Sequence, residues 1–487
     1  MSGASGDILP FPVSESTLAN GLRLIVVPTG FPNLASLQIP VQTGSRNEVE
    51  PGKSGFAHFF EHMMFRGTER YPAAAYQEIV KRAGARQNAY TTDDYTNYHI
   101  TFAGEDLETV LMLEADRFMH LAYSEADFRT EALAVLGEYN KNSANPLTKL
   151  FEAQRDRAYT VHPYRHTTMG FLRDIEDMPN QFDYARTFFD RWYRPEHTAL
   201  IVAGDVAPDA VAALVERSWG AWRPGSHRVV IPPEPEPRAA VAVHVPWESA
   251  TLPYVTVAFH GPAFSETERD YAALDLLLDL WFGRTSDLYR RLVEVEQTVD
   301  AFAVVAPPRA DPSLATIVAR AKRPEDVAAV RDAILETAAL ARRRPVPARR
   351  LAEARAHGRY AFVRALDNSE SVAATLAQFV RFRRSAETLS ALYRLYDSLT
   401  PDDLLAVAAR YLRDERLVQT TLSHEPPPAT LVAPPALPAS PPARPARSRR
   451  WCVCRPPRRS SPSSCCSRPA RPAIRSARRG WQSSVPP

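Results

Sequence analysis

His58-Phe59-Phe60-Glu61-His62 is the stretch of this sequence best equipped for chemistry. On a helix, two imidazoles four residues apart project from one face about a turn apart, which suits adjacent corners of a zinc tetrahedron. Glu61, three residues after His58, lies near the same face, where its carboxylate can reach a metal-bound water. Gly55, Phe56, Phe59, Phe60, Met63, Met64 and Phe65 leave the rest of that helix apolar, hence buried. The alternative is a core helix carrying two hydrogen-bonded histidines. Against it, a buried helix seldom places His, Glu and His together without a use.

Such a helix needs elements to position it. Residues 22–28 and 34–41 are rich enough in Val, Ile and Leu to be strands, and the helical pattern at 55–65 follows them. Residues 240–245 and 254–259 repeat that pair ahead of a helical pattern at 269–282. Residues 102–107 lead a helix, as 321–327 do, and 183–193 before strand 200–203 echoes 401–411 before 417–422. The expected fold class is therefore α+β. It comprises two homologous sandwich-like α/β halves, each an antiparallel-rich sheet flanked by helices. The expected boundaries are an N-terminal extension at 1–14, a metal-binding domain at 15–230 and a Pro-rich linker at 231–238. A second domain at 239–424 and a disordered Pro/Arg/Ser-rich tail at 425–487 complete the chain.

Composition narrows the class further. The chain has 487 residues, 45% apolar and 24% charged, which excludes wholesale disorder. No run of about 18 apolar residues exists, so no membrane span is expected. Met1 to Pro12 lack a basic stretch followed by an apolar one, which points to the cytoplasm, or to the periplasm if the start lies elsewhere. The net charge of +3 conceals an acidic body and a basic tail, because about 12 arginines and no acid follow Glu425. All four cysteines lie in that tail, so the body holds neither a disulfide framework nor a thiolate metal site. The tail's Arg447-Ser448-Arg449-Arg450 and its Cys452-x-Cys454 are read as neither a specific nucleic-acid site nor a zinc knuckle.

His-x-x-Glu-His is the inverted zinc motif. With Met63-Met64-Phe65-Arg66-Gly67-Thr68 after it, the sequence resembles the pitrilysin/insulinase family of zinc metallopeptidases. The resemblance implies a third ligand at Glu138, about 76 residues beyond His62, and at Glu131 a carboxylate that orients a ligand. Asn88-Ala89-Tyr90-Thr91 through Asp94-Tyr95-Thr96-Asn97-Tyr98 resembles the family's substrate-binding edge strand, with Asn88 and Ala89 as substrate contacts. Leu113 to Phe118 and His162-Pro163-Tyr164 match further family blocks. The implied activity is hydrolysis of peptides or unfolded protein segments. One zinc would sit on His58, His62 and Glu138, and Glu61 would take the water's proton and deliver it to the leaving amine.

The second half departs from this pattern. Tyr271 to Leu280 replaces the metal helix, no histidine lies between His260 and His357, and Glu353 and Tyr360 fall opposite Glu131 and Glu138. One zinc per chain follows. Active relatives usually carry an Arg and a Tyr seven apart after a Ser-x-Leu-(Phe/Tyr) stretch. Here Ser286-Asp287-Leu288-Tyr289 is present, but those two positions hold Val293 and Asp300, with Arg290 and Arg291 as neighbours. The resemblance then implies the zinc-bearing member of a homo- or heterodimer with a same-fold chain. The alternative is a non-catalytic assembly subunit of that fold. The tail from about residue 445 reads like a GC-rich gene in a shifted frame.

Overall fold

The computed structural model describes residues 8–438. Eleven strands form two sheets among these residues. The first contains β1 (Ser14–Thr17), β2 (Arg23–Pro28), β3 (Leu34–Val41), β4 (Arg86–Thr91), β5 (Thr96–Ala103) and β6 (Ala199–Gly204), in the order β1-β2-β6-β3-β5-β4. The second contains β7 (Val241–Pro246), β8 (Tyr254–His260), β9 (Val299–Val305), β10 (Leu314–Ala321) and β11 (Leu417–Ser423), in the order β7-β11-β8-β10-β9. Without β1 the two orders coincide. Each sheet has one parallel pair, β2 with β6 and β7 with β11, and is otherwise antiparallel. The fold is therefore α+β in two homologous halves, as the internal repeat implies.

The strands are apolar on both faces, and each face has its own cover. Leu24 and Val26 of β2 point into the core of the first half, while Ile25 and Val27 point the other way. Helices Phe56–Met63, Leu107–His120, Glu125–Ser143, Phe182–Trp192 and Pro208–Trp219 line that first core. The opposite face is covered by a helix of the second half, Ser369–Arg383, whose Val372, Ala373, Leu376, Ala377 and Val380 pack on Ile25, Val27, Ile201 and Ala203. The exchange is reciprocal. Helix Pro146–Ala158 of the first half lays Leu150 on Tyr254, Val318 and Leu422, and Ala158 on Ala258, Leu314 and Val418. Gln154, buried in that contact, donates to the Thr256 hydroxyl (2.8 Å) and accepts from that of Thr316 (3.2 Å). A strand buried on both faces reads as a continuous apolar run, which is why Leu24-Ile25-Val26-Val27 lacks alternation.

Both chain ends go further into the fold than their composition suggests. Ile8 and Leu9, ahead of β1, are buried against the exchanged helix. The expectation of a tail without structure from residue 425 needs correction up to residue 438. A short helix, Ala429–Val432, buries Leu431 in the second core, and Leu437 follows it. The Gln419 side chain donates to the Leu431 carbonyl (2.6 Å). Two leucines among the prolines suffice to anchor this segment, and a composition average hides them. The proposed frame change near residues 440–450 lies outside the described residues.

Because each sheet is finished by the other half, the halves should unfold together. Leu376→Ala removes a fully buried side chain at the exchange and should cost about 2–5 kcal/mol. Urea unfolding followed by far-UV circular dichroism should remain one transition, at a lower midpoint.

Candidate metal centre

His58 and His62 stand one turn apart on helix Phe56–Met63, with ring centroids 4.8 Å apart at 76°. Helix Glu125–Ser143, which carries Glu131 and Glu138, packs across it. Glu138 Oε2 lies 3.6 Å from His58 Nε2 and 3.3 Å from His62 Nε2. One ligand atom from each of the three residues falls within 4.8 Å of the others, the only such group among the described residues. Ligands about 2.0–2.2 Å from one tetrahedral ion are about 3.3–3.6 Å apart. The two nitrogen–oxygen separations match that spacing, and two imidazoles with a carboxylate are donors that zinc takes.

The electrostatics set the two histidines apart. Burial, and then the charge of His62, push the His58 pKa down, so His58 is neutral with a lone pair to offer. Burial would also lower that of His62, but hydrogen bonds with Glu131 and Glu138 outweigh it and raise the value, so this ring carries a proton that a metal would displace. His62 Nδ1 is 2.9 Å from Glu131 Oε1, which fixes the ring and leaves Nε2 for the site. Arg66 Nε donates to the other Glu131 oxygen (2.7 Å), and the pair holds Glu131 ionised despite its burial. Asn142 Nδ2 donates to Glu138 Oε1 (3.3 Å), leaving Oε2 toward the histidines. Glu61 is buried on the same helix, and burial raises its pKa against the hydrogen bond from Thr91 (2.7 Å). A carboxylate so raised is a better proton acceptor at neutral pH.

Thr91 belongs to β4, the edge strand of the first sheet, so the strand expected to hold substrate is tied to Glu61 directly. Asn88 is exposed and Ala89 buried on this strand, which pairs only with β5 among the described residues. The other edge of β4 therefore has backbone groups to offer an extended peptide.

Sequence reasoning missed how the second half holds this strand. The turn from β4 to β5 carries Asp93, buried and ion-paired with Arg155 (2.7 Å) and with Arg309 of the second half (2.5 Å). Asp93 also accepts from the Ser45 hydroxyl (3.1 Å). Beside it, Asp94 accepts from the Tyr164 hydroxyl (2.5 Å) and from the Ala310 amide (2.9 Å). Asp311 pairs with Arg46 and lies 3.0 Å from His162 Nε2. The block His162-Pro163-Tyr164 thus serves to seat the segment 309–311 against the turn. Its usable signal was the pairing of adjacent acids with a distant His-x-Tyr.

The corresponding positions of the second half hold no ligands. Tyr360 is 64% exposed, and Glu353 is paired with Arg349. Asp300 pairs with Arg320, and Arg291 with Glu296 on the surface.

Comparison with known proteins agrees with this division. Residues 29–170 match the family Insulinase (Peptidase family M16), and residues 181–357 match the Peptidase M16 inactive domain. The zinc protease PqqE of Helicobacter pylori is 27% identical over 410 residues, covering 83% of this chain and 91% of that protein. Bovine insulin-degrading enzyme is 29% identical over 204 residues, only 20% of its own length. Among solved structures, a protease from H. pylori superposes with a TM-score of 0.79 at 26% identity, over 85% of this chain and 99% of the other. The periplasmic protease PqqL of Escherichia coli shares the fold, with a TM-score of 0.70 at 19% identity, and this chain spans 48% of it.

The contact between the halves gives a pH dependence. Burial would raise the Asp311 pKa, but hydrogen bonds from His162 and Arg46 bring it down to about 2. Its stabilisation is therefore complete above the ordinary carboxylate value of about 4 and is lost as pH falls toward 2. Asp311→Asn should be less stable than the unsubstituted chain by about 2 kcal/mol at pH 7. The gap should close in denaturant titrations run from pH 5 down to pH 2.

Proposed function

The chain belongs to the insulinase/pitrilysin peptidase family M16, and from that membership we propose that it is a zinc-dependent metalloendopeptidase acting on peptides or unfolded protein segments. The observation that carries the reading is the convergence of His58, His62 and Glu138, whose ligand atoms lie within 4.8 Å of one another, with Glu61 on the same helix and an open strand edge beside it. Bound there, zinc supplies a Lewis acid that acidifies water and polarises the scissile carbonyl. The remaining work falls to the chain's own groups. His58, His62 and Glu138 hold the metal, and Glu131 with Arg66 keeps His62 in the tautomer that leaves Nε2 free. Glu61 accepts a proton from water at its carboxylate and returns it to the leaving amine. The open edge of β4, at Asn88 and Ala89, pairs with the peptide backbone and lays the scissile bond along the metal helix.

A second chain of the same fold completes the active unit in this reading. Val293 and Asp300 stand where active relatives have Arg and Tyr, and this chain spans about half of PqqL but 93% of that protein's first half. The competing reading, a non-catalytic assembly subunit, draws on the same two positions. It gives no reason for four metal-site residues to be kept together.

Glu61→Gln should retain one equivalent of zinc by elemental analysis while losing nearly all peptide hydrolysis, and a chelator should abolish hydrolysis by the unsubstituted chain. Unchanged turnover in Glu61→Gln rules the mechanism out. The isolated chain should be a weak peptidase, since losing one oxyanion donor costs about 10²–10³ in turnover. Adding a same-fold chain that carries the Arg/Tyr pair should recover activity in a steady-state assay of fluorogenic peptide cleavage.

A further inference from the structure

The two histidines are positioned by different means. His62 has Glu131 on its Nδ1, whereas His58 Nδ1 is buried without a hydrogen-bond partner among the described residues. The direction of the His58 ring therefore depends on its backbone, and His58 is only the third residue of helix Phe56–Met63. The first turn of a helix leaves amides without intrahelical partners, and a side chain at the preceding residue usually satisfies one of them. That residue is Gly55, with φ +94°, and a Cβ there would stand 2.9 Å from the Met169 carbonyl oxygen. No capping side chain can occupy the position.

The cap comes instead from seven residues upstream. Glu48 is buried, and its carboxylate spans the helix start: Oε2 accepts from the Gly55 amide (2.8 Å) and Oε1 from the Ala57 amide (2.7 Å). Its own backbone closes the turn Ser45–Asn47, which Ser45 and Arg46 fasten to Asp93 and Asp311. His166 Nε2 lies 3.8 Å from Glu48 Oε2, and the His166 Nδ1 pairs with the Thr167 carbonyl. We infer that Glu48 is the positioning residue for His58, fixing the first turn of the metal helix from outside it so that an otherwise unsupported imidazole meets Glu138. The inference rests on the zinc reading of the site.

The test uses the full chain and zinc alone, with affinity measured by competition against a chromophoric chelator and peptide hydrolysis run in parallel. Glu48→Gln and Glu48→Ala should bind zinc about 10- to 100-fold more weakly. Their kcat should fall at saturating zinc with KM nearly unchanged. Ser54→Ala serves as the comparison. It breaks an equally buried bond to Asp174 (2.6 Å) at the same helix start but touches neither first-turn amide. It should lower the melting temperature and leave zinc affinity alone. Should Glu48→Ala fail to fold, Glu48→Gln, which keeps the volume and one acceptor, carries the test. Wild-type zinc affinity and kcat in Glu48→Gln would overturn the inference. A wild-type chain that binds no zinc would instead overturn the reading of the site itself.

Discussion

The arrangement of the site depends on one buried carboxylate. Asp93 has lost its water and is neutralised by Arg155 of its own half and Arg309 of the other. A buried charge with a missing partner costs about 3–5 kcal/mol, so the two arginines are obligatory once the acid is there. What the pair contributes is a fixed geometry more than stability. It fixes the turn between β4 and β5, and Thr91 at the start of that turn holds Glu61. It also engages Ser45, and so the segment that ends in Glu48. The helix of His58 and His62 is thus restrained at its first turn and at Glu61 by groups tied to the second half.

That coupling would mean little if the halves could drift. The exchanged helices prevent drift, because separating the halves would expose both far faces, Ile25, Val27, Ile201 and Ala203 on one sheet and Tyr254, Val318 and Leu422 on the other. The apolar contact supplies the energy and the ion pairs supply the register. This division is expected physically, since apolar burial is non-directional whereas charge pairing is demanding in distance.

The strand runs and most helices were legible in the sequence to within a residue or two, because they are long and strongly patterned. Residues 269–282 and 401–411 coincide with helices Arg269–Phe282 and Pro401–Tyr411. What covered the far face of each sheet was not legible. An unbroken run such as Leu24 to Val27 states that both faces are buried, and says nothing of which helix buries them. His58, Glu61 and His62 were visible because their spacing is local to one helix turn. Glu138 required the family resemblance, since no local rule sets its distance from His62. Glu48, Asp93 and Arg309 were invisible for a different reason. An isolated acid or arginine in a loop reads as a solvated surface residue, and only its tertiary partners say otherwise.

The second half illustrates what becomes of the same framework without the cluster of histidines and glutamates. Helix Ala348–Ala365 takes the place of the helix that carries Glu131 and Glu138, and it buries only Leu351. It has no ligand to share with a neighbouring helix, and its cross-links are of another kind. Arg350 donates to the Leu280 carbonyl (2.8 Å) at the end of helix Arg269–Phe282, and Arg355 reaches the Leu399 carbonyl (3.2 Å) just past helix Glu387–Ser398. A cation at a helix C-terminus satisfies orphan carbonyls and opposes the helix dipole. Such links join helix ends without fixing a tetrahedral cluster, and they leave Tyr360 and Val363 facing outward where the first half turns Glu138 toward its histidines. The two halves therefore differ less in fold than in what ties their helices together. Only the first half brings carboxylates and imidazoles together at that junction, and the second half holds the neighbouring turn through Arg309.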